Sequence, residues 1–538
     1  MKGTTDRVAV AGGREAASRE MSVRDGGSDS PARSTGVNGR MTAGLSGASS
    51  RACVALGDEF GGLTVLEQER ATRVRGAGVD SSGLPDEALD LLLKLRCSSR
   101  ADIGRYVRVG SEWGADVQAC DRVESHFALA CTAYLSSPYS AATIVVCDHE
   151  EPKVSVWRGR GRELTRVDWP WVGPAYTDLL SECSRLVGFS SPAGAQRFEA
   201  LARLEPGSTD DRVAAFLEGD AHSLTVRSGW VAAVGSRIAH ETARGGAVAC
   251  AATAAALQRR LLDLFLALLA DVQRHTQDDH LCLAGGLFYN SSFNTAARLA
   301  GPFQDVFVPV DPGLTGAAVG ATLNSIGRPP QLLSPFLGPS YDQAEIKGTL
   351  ENCKLQYDWQ SDDAVVDAVV SALCKGRLVA WFEGRMEWGP RALGARSIIA
   401  NPFAPYVLEN LNGFLKKRQQ WRGYALSSLD GALREHFDGP DTAPFMECDF
   451  RPRDPHRFRH VLPASGALVR VHSVDHRSPP RFRQLLTRFG EATGIPCLVN
   501  TSFNGFHEPI VCNPRDAVRV FYGTGVDVLA LENFVVVK

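Results

Sequence analysis

Three arginines, Arg385, Arg391 and Arg396, sit in the stretch FEGRMEWGPRALGARSIIANP, and Lys416, Lys417, Arg418 and Arg422 follow in LKKRQQWRGY. Planar guanidinium groups bind phosphate and carboxylate bidentately, and the intervening glycines and proline let backbone N–H groups approach the same anion. The set suits a triphosphate. It contains no GxxxxGK[ST] loop, and solvated arginines on a loop would show the same spacing. A second stretch, LVNTSFNGFHEPIV, runs from an apolar strand into Asn500, Thr501, Ser502, Asn504 and Glu508. Small hydroxyl and amide side chains at a strand end bind a carbonyl, a carbamoyl amide or a ribose without adding charge, and ordinary turn chemistry accounts for the same residues. No serine or cysteine triad is evident, and chemistry on polyanions needs none.

The elements that must position these groups can be read from periodicity. VVDAVVSALCKG has helical spacing, RLVAWFEG reads as a strand leading into the arginines, and GIPCLVNTSFNG and VDVLALENFVVV read as further strands. Earlier in the chain, GLSGASSRACVALGD reads as a strand and a tight glycine hairpin that opens at Gly44, LPDEALDLLLKL as a helix, and AATIVVCD as a buried strand. Residues 245–275 form an Ala- and Leu-rich helix that runs into HLCLAGGLFYN, a strand ending in a Gly-Gly turn. No internal repeat is legible. GRPPQLLSPFLGPS is dense in proline and glycine, which places a linker at 327–345 between domains 44–326 and 346–538. Residues 1–43 are rich in Gly, Ser, Arg and Asp, lack the apolar centre of a signal peptide, and read as a disordered extension.

A chain of 538 residues exceeds the size at which a single core stops growing, so at least two domains are expected. The formal net charge of -3 gives no bias toward nucleic acid or a membrane surface, so any anion site must be local. Thirteen scattered cysteines without a CxxC pair fit a reducing cytoplasm, and the longest apolar run, LLDLFLALLADV, is too short to span a bilayer.

GRMEWGPRALGARSIIANP, the Lys/Arg run and NTSFNGFHEPIVCNPRDAVRVF together resemble the C-terminal half of the O-carbamoyltransferases of nodulation-factor and antibiotic biosynthesis. EQERATRV, LAGGLFYNSSFNTAARLAGPFQDVFV and GLTGAAVGATL fall in the same order and extend the resemblance over residues 44–538. It implies an α/β protein with an N-terminal actin and sugar-kinase-like (ASKHA) domain and a C-terminal YrdC-like domain. The YrdC-like domain would make carbamoyl-adenylate from carbamoyl phosphate and ATP. The N-terminal domain would then pass the carbamoyl group to a hydroxyl of a small specialised metabolite, with a bound metal such as iron. By the same resemblance Arg391, Lys416 and Arg422 take the phosphate and adenylate positions of the catalytic step, Arg396, Arg418, Asn500, Ser502 and Asn504 line that cleft, and His126 and Asp148 remain as metal ligands. The chain departs from the pattern where Leu129 replaces a second histidine, His149 a glycine, and Leu314 or Thr315 an acidic ligand. The alternatives to O-carbamoylation are therefore a divergent member that carbamoylates an amine, or a non-catalytic paralogue that binds nucleotide.

Overall fold

Two helices carry small or apolar residues on every side, SHFALACTAYL at Ser125–Leu135 and LTGAAVGATLNS at Leu314–Ser325, and such helices must be covered all round. In the computed structural model, which describes residues 7–8, 40–113, 120–190, 193–464 and 466–538, they lie side by side in the centre of the N-terminal domain. Their backbones approach so closely that a Cβ on Gly320 would stand 2.1 Å from the Ala128 carbonyl oxygen, so only glycine fits there.

A sheet flanks this helix pair on either side. The first has the spatial order Leu63–Glu67, Cys53–Gly57, Met41–Ser46, Ile103–Val109, Asp121–Val123. The second runs Arg7–Val8, Glu163–Val167, Val154–Arg160, Ala141–Cys147, His280–Ala284, Asp305–Phe307. If the short Arg7–Val8 edge strand is set aside, both sheets have the same plan. Three consecutive strands form an antiparallel meander, and two later strands add parallel to the first of the three. The N-terminal domain is thus a structural duplication that no sequence repeat announced. The glycine hairpin turns at Gly47, whose φ of 73° favours glycine. The first strand starts at Met41, three residues before the expected onset at Gly44, while most of the 1–43 expectation lies outside the described residues. The helix expected over residues 245–275 is Ala251–Thr276, preceded by a short 3-10 turn at Ala247–Cys250, and it buries the LLDLFLALLADV face. Among the described residues no helix is long and apolar enough to cross a membrane.

The C-terminal domain is a mixed sheet of ten strands, with Val379–Phe382, Arg396–Ala400, Cys497–Ser502, Ala425–Leu429 and Val469–Val474 adjacent at its centre. Residues 328–342 form no helix or strand, yet they do not hang free. The Val65 N–H donates to the Leu337 carbonyl, Gly338 and Met386 bond, and Trp388 donates to Pro335, so this segment is packed between the domains. EQERATRV forms the other tie. Glu67 Oε1 accepts from Gly389 N–H at 2.7 Å, Arg70 donates to the carbonyls of Glu387 and Gly389, and Arg73 donates to those of Pro509 and Ile510.

Candidate active site

The three opening arginines serve different ends. Arg385 donates to the carbonyls of Leu337 at 2.7 Å and Gly338 at 3.1 Å, which anchors the linker. Arg396 is 0% exposed, lies 3.5 Å over the Phe382 ring, and donates to the carbonyls of Glu383, Gly384, Pro339 and Ala395. The expectation that it lines the nucleotide cleft is therefore corrected: its fork is taken up by backbone oxygens in the core, where it fixes the loop. The turn residues between the arginines bring Arg391 against the N-terminal domain, where among the described residues its side chain makes one hydrogen bond, 3.2 Å to the Tyr289 carbonyl.

Around Arg391 the chain assembles charges from both domains. Arg470 donates to Glu199 at 2.6 Å, to Ser291 Oγ at 2.9 Å and to the Tyr289 carbonyl at 3.2 Å. Arg203 pairs with Glu199 and, at 2.9 Å, with Asp449. Against burial, which opposes ionisation, Arg203, Arg470 and Arg391 hold the Glu199 carboxyl below its ordinary range. Burial, reinforced by Arg470 and Arg203, pulls the Arg391 guanidinium down to about 9. Burial, reinforced by Arg418 and Arg197, does the same to Arg422, also to about 9. Among the described residues the Arg422 guanidinium has no hydrogen bond or ion pair.

Lys416 stands near Arg418 in the same charged region. Its Nζ donates to the Ser502 carbonyl at 2.7 Å, to Asn504 Oδ1 at 2.6 Å and to the Asn504 carbonyl at 3.1 Å, and burial drives its pKa well below the lysine range. Lys416, Ser502 and Asn504 are thus brought together. Arg418 lies 4.0 Å over Tyr424 and donates to Asn412 Oδ1 at 2.7 Å. Asn500 is 1% exposed and donates to Ser427 Oγ at 2.9 Å and to the carbonyl of Ala392, the residue after Arg391, at 3.1 Å, while its Oδ1 is buried with no partner. In all, Arg197, Arg203, Arg391, Lys416, Arg418, Arg422 and Arg470 form one electrostatic neighbourhood. The carboxylates paired with them among the described residues are Glu199 and Asp449. Such an excess of desolvated positive charge is chemically suited to a polyanion. Sequence reasoning missed Arg197, Arg203, Glu199, Asp449 and Arg470. The last had a signal, a charge alternating with apolar residues in ALVRVHSV.

The N-terminal cleft is arranged differently. His126 is 0% exposed, its Nδ1 meets Ser155 Oγ at 2.7 Å, its Nε2 is buried without a partner, and burial lowers it to about 4, so it is neutral near pH 7. Asp148 accepts from Gly286 N–H at 2.5 Å and faces His149 Nδ1 at 2.5 Å. Asp311 accepts from Tyr289 OH at 2.5 Å and Gly313 N–H at 3.0 Å. Leu129, 2% exposed, offers no donor atom. Among the described residues no group of three or more His, Cys, Asp or Glu side chains is placed to hold a metal. Of the two residues carried over as metal ligands, Asp148 is hydrogen-bonded to Gly286 and faces His149, whereas His126 keeps a buried Nε2 without a partner; among the described residues no third ligand joins them.

Comparison with known proteins gives matches to the family descriptions Carbamoyltransferase N-terminus over residues 107–323 and Carbamoyltransferase C-terminus over residues 370–538. The uncharacterized protein sll1178 of Synechocystis is 30% identical over 466 residues, 77% of this chain and 76% of that protein. The nodulation protein NolO of Bradyrhizobium diazoefficiens is 32% identical over 53% of this chain and 54% of its own. A 3'-hydroxymethylcephem-O-carbamoyltransferase of Amycolatopsis lactamdurans is 30% identical over 52% of each chain. The chain thus spans about half the length of these last two relatives. The solved activator of the 2-hydroxyisocaproyl-CoA dehydratase from Clostridium difficile covers 53% of this chain and 94% of its own at 16% identity and a TM-score of 0.33.

Proposed function

The chain belongs to the carbamoyltransferase family, and from that premise we propose that it forms carbamoyl-adenylate and passes the carbamoyl group to a hydroxyl of a small molecule. Carbamoyl phosphate, ATP and one water yield carbamoyl-adenylate, pyrophosphate and inorganic phosphate. Water attacks the phosphorus of carbamoyl phosphate and the bond from that phosphorus to the carbamoyl oxygen breaks, which frees carbamate and inorganic phosphate; a carbamate oxygen then bonds to the α-phosphorus of ATP as the bond to pyrophosphate breaks. The acceptor oxygen then attacks the carbamoyl carbon, the bond to the adenylate oxygen breaks, AMP departs, and the hydroxyl proton passes to solvent.

The observation that carries this reading is the boundary cluster around Arg391 and Arg422, two cations with little or no internal partner in a neighbourhood short of carboxylates. Fixed cations in a desolvated site stabilise the negative charge that gathers as pyrophosphate leaves, without reorganising during the reaction. Arg391 and Arg422 take the phosphates. Lys416 holds Ser502 and Asn504 in a fixed frame beside them, and Asn500 Oδ1 is a buried acceptor suited to the carbamoyl N–H. Purified protein supplied with ATP and carbamoyl phosphate is expected to release pyrophosphate, and Arg391→Ala is expected to do so with kcat/KM lowered about 10²–10³-fold. No pyrophosphate from the native protein, with or without a panel of hydroxyl acceptors, would refute the reading.

A further inference from the structure

We propose that Arg197, a residue of the N-terminal domain, is a further ligand of the anion bound by the C-terminal arginines, so that the polyphosphate site is completed only across the domain boundary. The inference rests on the adenylation reading above and adds a residue from the opposite domain to that site.

Arg197 lies in the helix Gly194–Ala202, which is fixed to the C-terminal domain at both ends. Before the helix, Phe189 stacks on Trp421, with ring centroids 6.0 Å apart and planes inclined by 27°, and Trp421 directly precedes Arg422. The Phe189 carbonyl accepts from Ser184 Oγ at 2.8 Å, and a Cβ on Gly194 would stand 2.2 Å from that same oxygen, so the Phe189 backbone abuts the start of the helix. After the helix, the Leu468 N–H donates to the Arg203 carbonyl at 3.1 Å, and the Arg203 side chain pairs with Asp449 at 2.9 Å. The helix is therefore held against the C-terminal domain as a rigid mount.

The Arg197 guanidinium on this mount has no hydrogen bond or ion pair among the described residues, and its Nε is buried. Its charge acts on Arg422, itself without an internal partner. Two such cations held near each other raise the free energy of the empty protein, and a phosphate chain between them removes that cost with charge-assisted, bidentate contacts. Glu199 and Asp449 are committed to Arg203 and Arg470, and among the described residues no carboxylate pairs with Arg197 or Arg422. The chemistry of the ligand is that of two linked phosphates, the pyrophosphate part of ATP or pyrophosphate itself.

The test is calorimetric binding of inorganic pyrophosphate to the full chain, comparing native protein with Arg197→Ala, Arg197→Lys and, as a control on the same domain, exposed Arg212→Ala. Loss of one charge-assisted contact is expected to weaken binding about tenfold in Arg197→Ala and about threefold in Arg197→Lys, with Arg212→Ala unchanged. Arg197→Ala is also expected to show a shallower salt dependence, which a merely structural role for Arg197 would not produce. If Arg197→Ala does not fold, as judged by circular dichroism, Arg197→Lys and Arg197→Gln decide by the same criteria. A folded variant lacking the arginine that binds pyrophosphate as tightly as native protein, with the same salt dependence, overturns the proposal alone. Native protein that neither binds pyrophosphate nor releases it from ATP and carbamoyl phosphate overturns the adenylation reading as well.

Discussion

At the domain boundary, among the described residues, the Arg391 side chain bonds one carbonyl and that of Arg422 none, whereas in the N-terminal cleft Asp148, Asp311 and His126 each meet a neighbour from the same domain. The first arrangement is stable only to the extent that a ligand supplies the missing negative charge. The second is largely satisfied as it stands. The lesson is that charged residues mark a binding site less by their presence than by the lack of internal partners, because burying an ionised group without compensation is among the costliest things a fold can do. Arg396 makes the point within a single motif. It lies five residues from Arg391, is of the same type, and is fully spent on carbonyls.

The sharpest way to break this comparison is to exchange the effects of the two clefts. Arg391→Ala or Arg422→Ala is expected to lower kcat/KM for pyrophosphate release by about 10²–10³-fold, the usual consequence of removing a charge-stabilising group. Asp148→Asn is expected to leave it within about twofold while impairing carbamoyl transfer. Equal effects of Arg391→Ala and Asp148→Asn on pyrophosphate release would remove the division of labour. Arg396→Ala should act on the fold, costing about 3 kcal/mol in denaturant unfolding through lost hydrogen bonds and the stack on Phe382. An Arg396→Ala protein of native stability and lost nucleotide binding would return that residue to the cleft.

A smaller effect is expected from pH. Because Arg391 and Arg422 are both held down to about 9, they carry charge at neutral pH and lose it as the pH rises through that value, so pyrophosphate-forming kcat/KM should fall above about pH 9. A bound polyanion favours the charged forms, so the limb for kcat should lie at higher pH than the limb for kcat/KM. For stability the sign is opposite to that of an ion pair. The folded state binds these protons less tightly than the unfolded chain, so at neutral pH the two arginines subtract from stability, and added pyrophosphate should raise Tm. The smallest expected effect is that of removing metal from the protein itself. Protein treated with a chelator, freed of it and then assayed with ATP and magnesium should release pyrophosphate within about twofold of untreated protein, since the arginine cluster and the His126 cleft are separate; a larger loss would tie the two together.

Much of the fold was legible because it follows from local rules. Val379–Phe382, Cys497–Ser502 and His280–Ala284 are short apolar runs that end in glycine or polar turns, and Ala251–Thr276 is too long and too apolar to be anything but a covered helix. The duplication of the two N-terminal sheets was not legible, because strand order is a matter of pairing between distant segments and leaves no period in the sequence. The prolines and glycines of residues 327–345 suggested a linker, and the structure shows residues 328–342 without helix or strand. The packing of that segment against Arg385, Met386 and Trp388 was not legible, since carbonyls that accept long-range hydrogen bonds carry no signature of their own.

The sequence by itself determined the residue types, the co-linear motifs and hence the family, and it brought Lys416, Ser502 and Asn504 into one argument before any contact was known. Only the tertiary structure decided which arginines are free. Charge and spacing are local properties that the chain carries with it, but whether a buried guanidinium meets a carbonyl, a carboxylate or another arginine depends on what the opposite domain places beside it. Arg197 and Arg422 are separated by more than two hundred residues, and the fold sets them in the same field.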